Sequence, residues 1–106
     1  MGRKKYNKLV RDLIPEIIEQ SGKKCKWHRA QDRAMPTYLG KKLVEEAKEF
    51  QENPSNEELA DVMEVIRTIE RVMGLDRYAK MGLKAYSRGA FEQHIVLDWV
   101  DDEWTL

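Results

Sequence analysis

Two stretches of this chain, residues 36–53 and the run from Ser55 to Gly74, each carry an apolar stripe at helical spacing, and almost nothing separates them. In the first, Leu39, Leu43, Ala47 and Phe50 recur every three or four positions; in the second, Leu59, Val62, Val65, Ile66, Ile69 and Met73 do the same. Asn53-Pro54-Ser55 breaks the pattern between them, and Ser55 followed three residues later by Glu58 has the form of a capping box opening the second helix. Two amphipathic helices on so short a connection must fold back as an antiparallel hairpin. A lone hairpin leaves one apolar face open, so the sequence predicts a homo-oligomer, a dimer or dimer of dimers, in which paired hairpins make a four-helix bundle.

The remainder is read around this hairpin. Residues 9–19, LVRDLIPEIIE, suggest a short helix interrupted or begun near Pro15 and stopped by Ser21-Gly22. Residues 76–88 suggest a third helix ending near Gly89. Residues 24–30 alternate weakly, and 95–100, IVLDWV, are β-branched and apolar; they read as two short strands forming a small peripheral two-stranded β element. The expectation is therefore a mainly α chain, one domain over 1–106. The 42% apolar and 36% charged residues suit a soluble, helix-prone chain. No apolar run is long enough to cross a bilayer, no apolar segment follows the basic N-terminus as in a secretory signal, and the single cysteine, Cys25, cannot pair internally. A cytoplasmic protein is expected.

Charge is neutral overall but unevenly placed. Residues 1–30 hold nine Lys/Arg against three acids, and the other 76 residues hold ten against sixteen. A neutral whole does not favour a nucleic-acid polymer as partner. The basic segment either packs on acidic surface, with Asp98, Asp101, Asp102 and Glu103 available, or brings cations to phosphates near a carboxylate-bound metal.

The acids of the hairpin carry the chemical information. With Leu43 as origin of a helical wheel, Glu46 falls about 60° away on the flank of the stripe, with Glu49 on the same side one turn along, while Glu45 points nearly opposite, toward water. With Val62 as origin, Glu58 falls about 40° away and Asp61 lies at the edge of the apolar sector. Antiparallel packing of the two faces would let Glu46, Glu49, Glu58 and Asp61 converge. Four partly dehydrated carboxylates repel one another, and a hard divalent cation such as Mg²⁺ offsets that repulsion. The residues alone leave an ordinary alternative open, in which Glu58 only caps its helix and Glu45 pairs on the surface with Lys41, Lys42 or Lys48. Cys25-x-x-His28 is half of a metal motif. Trp27, Tyr38, Tyr86 and Phe91 are aromatic residues available to a base pocket or to a core; Trp99 and Trp104 sit in the acidic tail.

Glu45-Glu46-Ala47-Lys48-Glu49 followed by Glu58-Leu59-Ala60-Asp61 resembles the E-E-x-x-E … E-x-x-D signature of the MazG-like, all-α nucleotide pyrophosphohydrolases, a superfamily that includes phosphoribosyl-ATP pyrophosphohydrolases. Tyr6-Asn7-Lys8-Leu9-Val10-Arg11-Asp12 with Ile14-Pro15-Glu16 resembles the opening of a compact branch of this group, and Lys84 … Gly89-Ala90-Phe91-Glu92 with Ile95-Val96-Leu97 resembles its ending. The resemblance implies that Glu46, Glu49, Glu58 and Asp61 ligate Mg²⁺, which Mn²⁺ can replace, and that Lys84 and Arg88 meet phosphates, with Lys8 and Arg11 near the nucleotide. It implies hydrolysis of a nucleoside triphosphate to the monophosphate and pyrophosphate, with Glu45 or Glu49 orienting the attacking water. In this chain only eight residues separate Glu49 from Glu58, fewer than the family pattern usually has, so the turn at Asn53–Asn56 must be tight. A non-catalytic helical module binding protein or nucleic acid, and a phosphoribosyl-ATP hydrolase of histidine synthesis, are the rival expectations.

Overall fold

Proline and glycine punctuate the chain, and the helices start and stop where they stand. The computed structural model describes residues 2–102. Among these residues it has helices α1 (Ile14–Gln20), α2 (Met35–Glu52), α3 (Asn56–Met73) and α4 (Tyr78–Arg88), with one 3₁₀ turn, Asp32–Ala34, leading into α2. Pro15 and Pro36 lie in the first turns of α1 and α2, where a missing N–H costs nothing. The residues before Ile14 are not helical, so Pro15 begins its helix rather than interrupting one. Gly74 ends α3 in the left-handed conformation at φ 66°, and the Leu75 N–H then reaches back to the Glu70 carbonyl at 3.1 Å. Asp76 Oδ1 accepts the Tyr78 N–H at 3.0 Å at the start of α4, and Gly89 closes that helix.

The chain divides into two compact units, one up to Leu75 and one from Asp76 onward. In the first unit α2 and α3 pack against each other across a connection of only Asn53, Pro54 and Ser55. The Asn53 N–H closes α2 on the Glu49 carbonyl at 2.9 Å, and Ser55 Oγ opens α3 by accepting the Glu58 N–H at 3.2 Å. The tight turn that the short spacing demands is therefore made by two caps back to back. The second unit contains α4 and the chain after it.

The interior of the hairpin is not centred where apolarity alone puts it. Leu39 is 1% exposed, Val65 9% and Glu46 7%, whereas Ala47 and Phe50 on α2, and Leu59 and Met73 on α3, are exposed. On both helices the packed direction is turned about 60° from the wheel origin, toward the acidic flank. The apolar residues on the other side of each stripe remain uncovered, as a two-helix unit cannot bury more than one seam.

The two expected strands are absent. Residues 24–30 and 95–100 are irregular chain, and there is no strand among the described residues. Their β-branched and aromatic side chains favour extended backbone, but a strand also needs a neighbouring ladder for its N–H and C=O groups. Neither segment has one, and Trp27, Ile95, Val96 and Trp99 are exposed. Glu103 and Trp104 lie outside the described residues. No helix of the described residues is long and apolar enough to cross a membrane.

With so few residues fully buried, Leu39 dominates the seam. Leu39→Ala is expected to lose about 2–5 kcal/mol of unfolding free energy in urea. Ser55→Ala, which removes only the α3 cap, is expected to lose about 1 kcal/mol. A Leu39→Ala loss no larger than that of the exposed Val44→Ala contradicts this account of the seam.

Candidate metal centre

The rotation of the seam carries the acids inward. Glu46 and Glu49 come from the last turns of α2, Glu58 and Asp61 from the first turns of α3, and the tight connection sets these ends side by side. One carboxylate oxygen from each of the four residues lies within 4.8 Å of the others. Oxygens opposed across a hard divalent cation stand about 4.2 Å apart for Mg²⁺ and about 5 Å apart for Ca²⁺, so the spread is that of a cation's coordination shell. Glu46 is buried, Glu58 and Asp61 are half-buried and Glu49 is exposed, leaving one open side.

Two atoms distinguish this cluster from an ordinary acidic surface. Glu46 Oε2 and Glu58 Oε2 are buried and have no hydrogen-bond partner. Glu58 does not complete a capping box: its backbone N–H goes to Ser55, while its carboxylate is turned to the cluster. A buried, unpartnered carboxylate oxygen is costly, and either a proton or a cation shared within the group of acids offsets that cost. The four residues thus fit a hard metal ion by donor type, spacing and unmet demand.

Three basic side chains border the acids. Lys42 Nζ, only 15% exposed, lies 3.3 Å from Glu46 Oε1 and 3.4 Å from Glu45 Oε1. Lys8 Nζ donates to Glu45 Oε1 at 2.8 Å, and Arg11 Nη2 donates to Asp61 Oδ1 at 2.7 Å, with Nη1 3.9 Å from Glu64. The segment bearing Lys8 and Arg11 is thereby laid across both helices. Glu45 does not point into water as its wheel position suggests; a third element, invisible to a two-helix wheel, covers it. The basic segment does pack on acids, but on those of the hairpin. Lys42 escaped the sequence reading as a site residue because it looked like a surface partner of Glu45, although its position one turn before Glu46 placed it on the buried flank.

These contacts set the local proton affinities. Burial pushes the Glu46 carboxyl above the usual range, helped by the Glu49 carboxylate and opposed by Lys42. The Lys8 hydrogen bond holds Glu45 below that range, and the same bond raises Lys8; Asp61 likewise raises Arg11.

The other expected site residues are placed differently. Lys84 and Arg88 lie one turn apart on α4, exposed, in the second unit. Trp27 carries the Arg29 guanidinium over its ring at 5.1 Å, and the Tyr38 hydroxyl donates to Asn7 Oδ1 at 2.9 Å. Cys25 Sγ faces the Pro15 carbonyl at 3.8 Å and His28 is exposed; neither belongs to a group of potential metal ligands among the described residues. Comparison of the chain with protein-family models, with curated proteins and with solved structures finds no match.

The pH response of a metal-free chain follows from the two shifted glutamates. Glu46, raised, stabilises the fold at low pH and loses that contribution as pH climbs from the ordinary glutamate range through its raised value; Glu45, lowered, stabilises above the ordinary range and loses it as pH falls through its lowered value. A cation held by Glu46 would displace its proton, so any rise in melting temperature with Mg²⁺ should shrink as pH is lowered toward that raised value. In calorimetry near neutral pH, Glu46→Gln should stabilise the metal-free chain by about 1 kcal/mol and blunt the Mg²⁺ response. An undiminished response in Glu46→Gln is the contrary result.

Proposed function

We propose that this chain is a Mg²⁺-dependent nucleoside triphosphate pyrophosphohydrolase of the MazG-like kind, releasing a nucleoside monophosphate and pyrophosphate. The observation that carries the reading is the convergence of Glu46, Glu49, Glu58 and Asp61, with two buried carboxylate oxygens left without partners. The four carboxylates suit a hard divalent cation, and the MazG-like resemblance selects Mg²⁺, an ion that shares coordination positions with water and substrate phosphates. Glu46, Glu49, Glu58 and Asp61 would hold it, and it would supply charge neutralisation at the phosphate oxygens.

The chain's own groups account for the rest. Glu49, the exposed member of the cluster, or Glu45, the carboxylate next to Glu46, orients a water and takes its proton. The water oxygen forms a bond to the α-phosphorus as the bond from that phosphorus to the bridging oxygen of the β-phosphate breaks, and pyrophosphate leaves. Lys8 and Arg11, already at the rim, exchange their carboxylate partners for phosphate oxygens. Lys84 and Arg88 are proposed to hold the polyphosphate tail, on the resemblance alone. The exposed apolar side chains of the hairpin, Leu59 and Met73 among them, support pairing of two copies into a four-helix bundle. A nucleic-acid-binding module is less well supported, because the chain carries no net charge.

Purified protein with Mg²⁺ or Mn²⁺ and a panel of canonical and modified NTPs and dNTPs, together with phosphoribosyl-ATP, is expected to release pyrophosphate. EDTA should abolish the release, and Glu49→Gln should slow it by about 10²-fold or more. Absence of pyrophosphate from every nucleotide sinks the proposal, and release from phosphoribosyl-ATP alone assigns the narrower enzyme. Light scattering should report a dimer or tetramer.

A further inference from the structure

We infer that Tyr6 is the platform on which the nucleobase of the substrate stacks, an inference that rests on the nucleotide pyrophosphohydrolase reading and names a specificity residue for it. The Tyr38 hydroxyl is tied to Asn7, and the cation over the Trp27 ring, Arg29, makes no ion pair with the hairpin's acids among the described residues, whereas a cation at the Tyr6 ring, Lys8, does. Tyr6 is 61% exposed and is linked to Glu45, the residue preceding the cluster member Glu46. The link is a single side chain: Lys8 Nζ lies 5.7 Å from the centre of the Tyr6 ring and 2.8 Å from Glu45 Oε1.

The backbone that carries the ring is fixed by the residues that follow it. Asn7 takes the left-handed backbone conformation, φ 43°, which asparagine tolerates better than most residues. Its Oδ1 accepts the Tyr38 hydroxyl proton, which fixes the turn to α2. Lys8 and Arg11 then tie the following residues to α2 and α3. Tyr6 is thus the residue just before an anchored stretch, with its ring free of that anchoring.

The cations near the ring give the arrangement its sense. Lys4 Nζ is 5.1 Å and Lys8 Nζ 5.7 Å from the ring centre. At an exposed site such a contact is weak, and a triphosphate is a far stronger partner for an ammonium group than an aromatic face. Phosphates arriving at the acidic cluster's rim draw both lysines off the ring and free its face for the base. Stacking reads the face of a base and not its hydrogen-bonding edge, so the site distinguishes nucleotides from bare polyphosphates while accepting several bases.

Steady-state kinetics on Tyr6→Ala and Tyr6→Phe, with inorganic triphosphate as a competing inhibitor, test this. Tyr6→Ala should raise KM for nucleoside triphosphates about tenfold, with kcat changed much less, while the inhibition constant of inorganic triphosphate moves less than twofold; Tyr6→Phe should restore KM. Nucleotide hydrolysis with the same KM in Tyr6→Ala, or equal weakening of nucleotide and inorganic triphosphate, overturns the stacking role and leaves the enzyme reading intact. A wild-type chain that neither hydrolyses nucleotides nor binds them overturns both.

Discussion

Four carboxylates drawn into one partly dehydrated group repel one another, and the first unit is organised around compensating that repulsion. Lys42 approaches from within α2, and Lys8 and Arg11 arrive from a segment far away in sequence. Lys42 pairs with Glu46, Arg11 with Asp61 and Lys8 with the adjacent Glu45, and none meets the buried oxygens of Glu46 and Glu58. The Lys8 and Arg11 pairs, more open to solvent than that of Lys42, contribute little to stability individually. Their effect is to steady the acids while leaving the centre of the group with unmet demand, which is the condition in which a small, doubly charged ion binds well.

The same constraint explains the unusual seam. Burial of Glu46 beside Leu39 and Val65 is unfavourable for an apolar core and favourable for a binding site, because low dielectric strengthens every interaction with an arriving cation. Turning the packed faces toward the acids also leaves Ala47, Leu59 and Met73 outside. The clustered acids and the uncovered apolar side chains are thus set on different sides of one hairpin.

Much of this was legible in the amino-acid order. Pro36, Pro54-Ser55, Gly74 and Gly89 bracket α2, α3 and α4 to within two residues of their expected limits, since each acts locally on backbone geometry. The acid flank was legible because 3.6-residue periodicity places Glu46, Glu49, Glu58 and Asp61 without knowledge of anything else. What escaped was non-local. The covering of Glu45 and Asp61 depends on ion pairs made with residues 37 and 50 positions away, Lys8 and Arg11. The strands expected at 24–30 and 95–100 failed for a related reason: residue type reports a taste for extended backbone, whereas a ladder needs a neighbour that composition does not supply.

All four acids belong to one hairpin of one chain, joined by three residues. Each polypeptide therefore carries the whole set of four donor groups from the moment its own hairpin closes. On the proposed function, activity in a mixed population of sound and damaged chains is diluted in proportion to the damaged share, and a lesion in one copy leaves the donor set of another whole.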